Sequence, residues 1–123
     1  MLRLILITLA SALLIACSRP AYPAGTLRTA DAASHIGEST TVCGKVAGTK
    51  YADQVNGAPT FINLDAPYPR QVFTALIWGQ SRGNFSSTPE SISGHICVHG
   101  RISVHNGVPQ IIVNDSSQIS KVK

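Results

Sequence analysis

His95-Ile96-Cys97-Val98-His99-Gly100-Arg101-Ile102-Ser103-Val104 carries the most regular alternation in the chain. Ile96, Val98, Gly100, Ile102 and Val104 fall on one face, and His95, Cys97, His99, Arg101 and Ser103 on the other. A period of two belongs to a half-buried β-strand. His105-Asn106-Gly107 follows, and Asn-Gly accepts the positive backbone angles of a tight hairpin turn, so Val108–Val113 reads as the returning strand. Upstream, Thr40–Val46 alternates in the same way, with Val42, Gly44 and Val46 opposite Cys43 and Lys45. Thr60–Leu64 and Val72–Trp78 supply two more strands. Turn residues bound them: Asn56-Gly57 before, and Pro67-Tyr68-Pro69 between.

The sum is five short strands, with a polar connection, Gln80–Gly94, between the third and the fourth. Pro89-Glu90 marks a short helix start within it. Thr29–Ile36 reads as a short helix that Thr29 caps and Gly37 ends. Glycines on the inward face of the first and fourth strands suit a small closed barrel, where strands bend sharply. A β-sandwich usually needs about seven strands.

The N-terminus speaks to location. Arg3 precedes an apolar run from Leu4, which closes in Leu14-Ile15-Ala16-Cys17. Spanning a bilayer takes roughly 20 apolar residues, more than this run offers. The string resembles a bacterial lipoprotein signal, in which the cysteine is lipidated and becomes the new N-terminus. The resemblance implies a signal peptide over 1–16, a lipidated tether over 17–28, a domain over 29–119 and a tail over 120–123. Ser18 stands where an Asp would favour retention in the inner membrane, so the outer membrane, on its periplasmic face, is preferred.

Formal net charge is +4, mildly basic, with no run of like charge. Such a balance permits binding to nucleic acid or an anionic surface without demanding it. With Cys17 acylated, Cys43 and Cys97 remain, and an even remainder in an oxidising compartment suggests one disulfide.

The strand order resembles that of the OB-fold, a five-stranded Greek-key barrel. Val42-Cys43-Gly44-Lys45-Val46 and Val98-His99-Gly100-Arg101-Ile102 both resemble the V-x-G-[KR]-[VI] pattern of nucleic-acid-binding OB-folds. The stretches Pro59–Leu64, Pro67-Tyr68-Pro69 and Phe73–Gly79 are similar to a group of exported bacterial OB domains, some of which sit beside secreted nuclease domains. The resemblance implies an all-β domain with a short N-terminal helix that binds single-stranded nucleic acid. It also makes the strands of Cys43 and Cys97 antiparallel neighbours, so that matching registers would bond them.

Such a module uses outward aromatic faces for stacking and cations along the phosphates. In the second strand Ile62 and Leu64 turn inward, which leaves Phe61 and Asn63 outward. Lys50 and Tyr51 fall at the first connection, Tyr68 and Arg70 at the next turn, and Trp78 and Arg82 where the third strand runs out. These eight residues are the candidate nucleic-acid contacts. Phe73 is compatible with either face.

His95, Cys97 and His99, with Cys43 opposite, raise a rival metal reading. Ordinary zinc sites use turn-based spacings such as C-x-x-C, which this chain lacks, so no metal is expected. The carboxylates are few and scattered, and no nucleophile elbow or phosphate-binding glycine loop occurs. The expectation is a non-catalytic, monomeric envelope lipoprotein without cofactor. Its partner is single-stranded nucleic acid or, as the alternative, an envelope protein, a saccharide or another small ligand. Its membrane contact is expected through the lipid alone.

Overall fold

The computed structural model describes residues 21–123. The signal peptide and Cys17 lie outside the described residues. The fold is all-β, with β1 (Leu27–Arg28), β2 (Ser39–Tyr51), β3 (Thr60–Leu64), β4 (Phe73–Ile77), β5 (His95–His105), β6 (Val108–Ile112) and β7 (Ile119–Lys121). They make one mixed seven-stranded sheet in the order β1-β2-β3-β4-β6-β5-β7, with a further β2–β5 pairing. That pairing joins β2, β3, β4, β6 and β5 into a ring. All pairings within the ring are antiparallel except β4 with β6.

Two strands exceed the five expected. Leu27 of β1 and Ile119 of β7 pack on the core, and these contacts draw the flanking backbone into the sheet. β1 runs parallel to β2, and β7 antiparallel to β5. The stretch expected to be tether, 17–28, therefore ends in folded structure. The tail expected after Ile119 does likewise, since Ser120 and Lys121 extend β7 and the Val122 amide donates to the His95 carbonyl.

β2 is also longer than its alternation suggests. Its first half pairs with β5, from Ser39↔Arg101 to Lys45↔His95, and its second half with β3, up to Tyr51↔Thr60. A register shift between Val46 and Gly48 separates the halves. An extra residue there reverses which side chains face inward. Val42 and Gly44 point in before the shift, and Thr49 and Tyr51 after it.

The core is Ala32, Val42, Ile62, Leu64, Phe73, Ala75, Ile77, Ile96, Val98, Ile102, Ile111 and Val113, each fully buried. Gly44 and Gly100 lie against it where neighbouring side chains leave no room for a Cβ. A Cβ on Gly44 would stand 2.8 Å from Thr29 Cγ2 and 3.2 Å from Leu64 Cβ. One on Gly100 would stand 2.6 Å from Ile111 Cγ2. Both glycines make room for a neighbour.

The expected first helix is a 3-10 segment, Thr29–His35, followed by Gly37 in the left-handed region at φ 90°. Thr29 is not its cap: Arg28 holds that position without a side-chain hydrogen bond. The Thr29 hydroxyl instead donates to the Asp65 carboxylate, which also accepts the Lys45 amide at 2.9 Å. Asp65 thus ties the helix start and β2 to the end of β3. The connection between β4 and β5 holds two more 3-10 segments, Gly79–Asn84 and Pro89–Ser91. The hairpin at Asn106-Gly107 forms as expected, with φ of 49° and 76°.

Cys43 and Cys97 form a disulfide, bonded across directly paired positions of β2 and β5 with a Cα–Cα distance of 4.0 Å. They face away from the core, as the alternation requires, yet both are buried. No group of three or more potential metal ligands occurs among the described residues, and no helix there is long and apolar enough to cross a membrane.

Candidate binding groove

Directly paired residues share a face of a sheet, and that face alternates along each strand. On the outside of the ring the rows are therefore Lys50–Phe61–Leu76–Ile112 and Gly48–Asn63–Thr74–Gln110. Of these rows, Gly48, Lys50, Phe61, Asn63, Thr74 and Gln110 floor a groove of about 780 Å³. One wall is the β3–β4 turn, with Pro67, Tyr68, Pro69 and Gln71. The other is the β5–β6 hairpin, with His105, Asn106 and Val108. Its lining holds no carboxylate, and Lys50 supplies its permanent positive charge.

Phe61 is partly buried on the floor, with its ring position flanked by exposed Lys50 and buried Leu76. Asn63 is only 5% exposed, and its Oδ1 accepts the Thr74 hydroxyl at 3.0 Å. Tyr68 stands out at the rim, 77% exposed. Gln71 Oε1, on the wall, is buried without a hydrogen-bond partner. An unpaired buried acceptor costs roughly 1–3 kcal/mol, which a donor brought by a ligand would offset.

Of the eight candidates, four therefore converge: Lys50, Phe61, Asn63 and Tyr68. Arg70 is exposed in the same turn as Tyr68 but does not line the groove. Tyr51, Trp78 and Arg82 lie elsewhere. Tyr51 points inward because of the register shift, and the Arg82 guanidinium stacks 3.6 Å over its ring. Arg82 also donates to Glu90 at 2.8 and 3.2 Å and to the Thr60 hydroxyl at 2.6 Å. Trp78 packs on the β2–β3 turn, where a Cβ on Gly57 would come within 3.0 Å of the indole. Sequence reasoning placed the β5–β6 hairpin but did not single out His105, Asn106, Val108 or Gln110. Asn106 is visible as a turn former, and nothing in that role hints at a wall.

The Arg82–Glu90 cluster gives a pH prediction. The Arg82 hydrogen bonds, foremost, hold the Glu90 carboxyl below its ordinary value, with a backbone hydrogen bond assisting and burial opposing. As pH falls, the unfolded chain takes up the proton first. The stabilisation is full at neutral pH and is lost as pH drops through the ordinary carboxyl range and below. The thermal midpoint of the native protein should therefore fall more between pH 7 and pH 3 (values chosen to bracket a carboxyl near 4.3) than that of Glu90→Gln. Parallel declines would show that the pair contributes nothing.

No family model and no curated protein matches the chain. Two solved structures are similar to it. The OBody AM1L10 bound to hen egg-white lysozyme is 15% identical with a TM-score of 0.51, over 84% of this chain and 96% of that one. A chain described as an aspartyl-tRNA synthetase from Leishmania major Friedlin is 10% identical with a TM-score of 0.50, over 84% of this chain and 22% of that one. At these identities the likeness is one of fold.

Proposed function

We propose that this chain is a lipid-anchored protein of the bacterial envelope whose domain is an OB-fold binding module. The five-membered ring, its single parallel pairing and the likeness to the OBody support the OB assignment, with β1 and β7 as additions to the barrel. The ligand is single-stranded nucleic acid, bound in the groove without catalysis. One observation carries this reading: a groove free of carboxylates in which Phe61 lies on the floor, Lys50 beside it and Tyr68 at the rim. Bases stack on aromatic faces whatever their identity, and a cation alongside tracks the phosphates.

The test is fluorescence anisotropy of labelled single-stranded DNA titrated with the mature protein in detergent micelles, at low and physiological salt. Affinity should fall with salt, because phosphate contacts release counterions. Phe61→Ala should weaken binding by about 1–3 kcal/mol with the thermal midpoint little changed. Absence of binding at low salt, or unchanged affinity in Phe61→Ala, overturns the reading. A protein partner is the second reading, and the OBody's complex with lysozyme favours it. It predicts affinity for an envelope protein with little dependence on salt.

A further inference from the structure

Most of the basic side chains are away from the groove. The rows on the outer face of β2 and β5 are Ser39–Arg101, Thr41–His99, Arg28–Cys43–Cys97–Ser120 and Lys45–His95. They place Arg28, Lys45, His95, His99 and Arg101 on one face, and no carboxylate occurs in them. Two carboxylates border these rows: Asp65, which accepts the Thr29 hydroxyl and the Lys45 backbone amide, and Glu38, which pairs with His35.

The N-terminal chain lies on this same face. Tyr22 hydrogen-bonds through its hydroxyl to His95 Nδ1 at 3.0 Å, and the Arg28 guanidinium stands 5.2 Å from its ring centre. Four residues separate Tyr22 from Cys17, making five steps along the chain, and an extended chain covers at most about 3.6 Å per step. An acyl group on Cys17 therefore keeps Tyr22, which lies on this face, within roughly 18 Å of the membrane that holds it.

We propose that the disulfide-bearing face of β2 and β5 rests on the anionic phospholipid surface of that membrane. The proposal rests on the lipid-anchored reading above and adds a defined orientation to it. Acyl chains alone would let the domain tumble on its tether. Basic residues within a Debye length of an anionic surface are drawn to it, and here the short tether delivers them. Around the ring, β4 stands opposite the β2–β5 pair. The groove on β3, β4 and β6 then faces away from the lipid, open to a ligand from the aqueous side. Nucleic acid is the other polyanion such a face suits, but the tether brings lipid rather than nucleic acid to it.

Lysine footprinting tests this. The mature acylated protein is reconstituted into phosphatidylcholine vesicles with and without phosphatidylglycerol. A water-soluble amine reagent modifies exposed lysines, which are read by mass spectrometry. Lys45 lies on the proposed contact face and Lys50 in the groove, and both are exposed. Phosphatidylglycerol should lower modification of Lys45 several-fold relative to Lys50, and high salt should restore it. His99→Glu with Arg101→Glu, two exposed positions outside the groove, should restore it too. Equal modification of Lys45 and Lys50 on both vesicles overturns the proposal. So does protection of Lys45 by single-stranded DNA but not by phosphatidylglycerol, or a mature chain whose mass shows no acyl group. Because the groove assay reads Phe61 and this one reads Lys45, either can fail alone.

Discussion

Replacing both domain cysteines, as Cys43→Ala with Cys97→Ala, should lower unfolding stability by about 4 kcal/mol. The bond joins residues 54 apart in sequence. In the chain-entropy model, closing a loop of that length removes about 4 kcal/mol of freedom from the unfolded chain. A domain of this size has only about 5–15 kcal/mol to lose. The expected fall in thermal midpoint is on the order of 20 °C. Burial of both sulfur atoms adds a packing contribution, which Cys43→Val with Cys97→Val separates. Valines refill most of the volume and suit a paired position on a sheet. If the valine pair restores the loss, packing accounts for it and the entropic argument fails. If both variants lose about the same, the bond acts on the unfolded chain. Urea unfolding of the three proteins decides, and a loss below about 1 kcal/mol in the alanine pair would remove the disulfide as a main support.

The disulfide was legible because three signals agreed: the alternation of its two strands, the even number of cysteines left once Cys17 is set aside, and the resemblance to the OB-fold. The alternations in Thr40–Val46 and Ile96–Val104 put each cysteine opposite its strand's apolar residues, and the resemblance implied that the two strands are antiparallel neighbours, so only a matching register was needed. The Asn106-Gly107 turn was legible because its chemistry is local. What stayed hidden was non-local. The register shift at Val46–Gly48 leaves no mark on composition, yet it sends Tyr51 inward and Lys50 outward. Two adjacent residues that looked like one site therefore part company. Arg82 read as a free cation because Glu90, eight residues on, and Thr60, on another strand, are brought to it only by the fold. β1 has two residues, too few for any alternation, and exists because β2 offers an edge.

The groove followed the same division. Phe61 and Asn63 were assigned outward from the inward pattern of Ile62 and Leu64, and the pairings of β3 agree. The far wall came from a hairpin whose turn was known but whose approach to β3 and β4 was not. That approach depends on the parallel pairing of Thr74–Leu76 with Gln110–Ile112, the one link that closes the ring on that side.

Phe73→Ala should be the most damaging single truncation, and it settles a phenylalanine whose facing the sequence left open, where Phe61 was read as outward. Phe73 pairs with Leu64 at the start of β4 and is fully buried among the core side chains. Removing a buried phenylalanine ring costs about 3–5 kcal/mol, from lost transfer energy and from the cavity left behind. Its facing was ambiguous because Val72 beside it is also apolar, so either parity of the strand was admissible. The structure decides for Phe73, and Val72 is left 37% exposed. Phe61 sits on the opposite face of the same β3–β4 ribbon, only partly buried. Alanine at 61 should therefore spare the fold and weaken the proposed nucleic-acid binding, whereas alanine at 73 should lower the urea midpoint sharply. At a urea concentration where Phe73→Ala remains folded, its affinity for single-stranded DNA should stay near that of the native protein. A stability loss below about 1 kcal/mol for Phe73→Ala would contradict its placement in the core. Equal loss of affinity in folded Phe73→Ala and in Phe61→Ala would mean that binding follows the integrity of the sheet, and not a stacking face at Phe61.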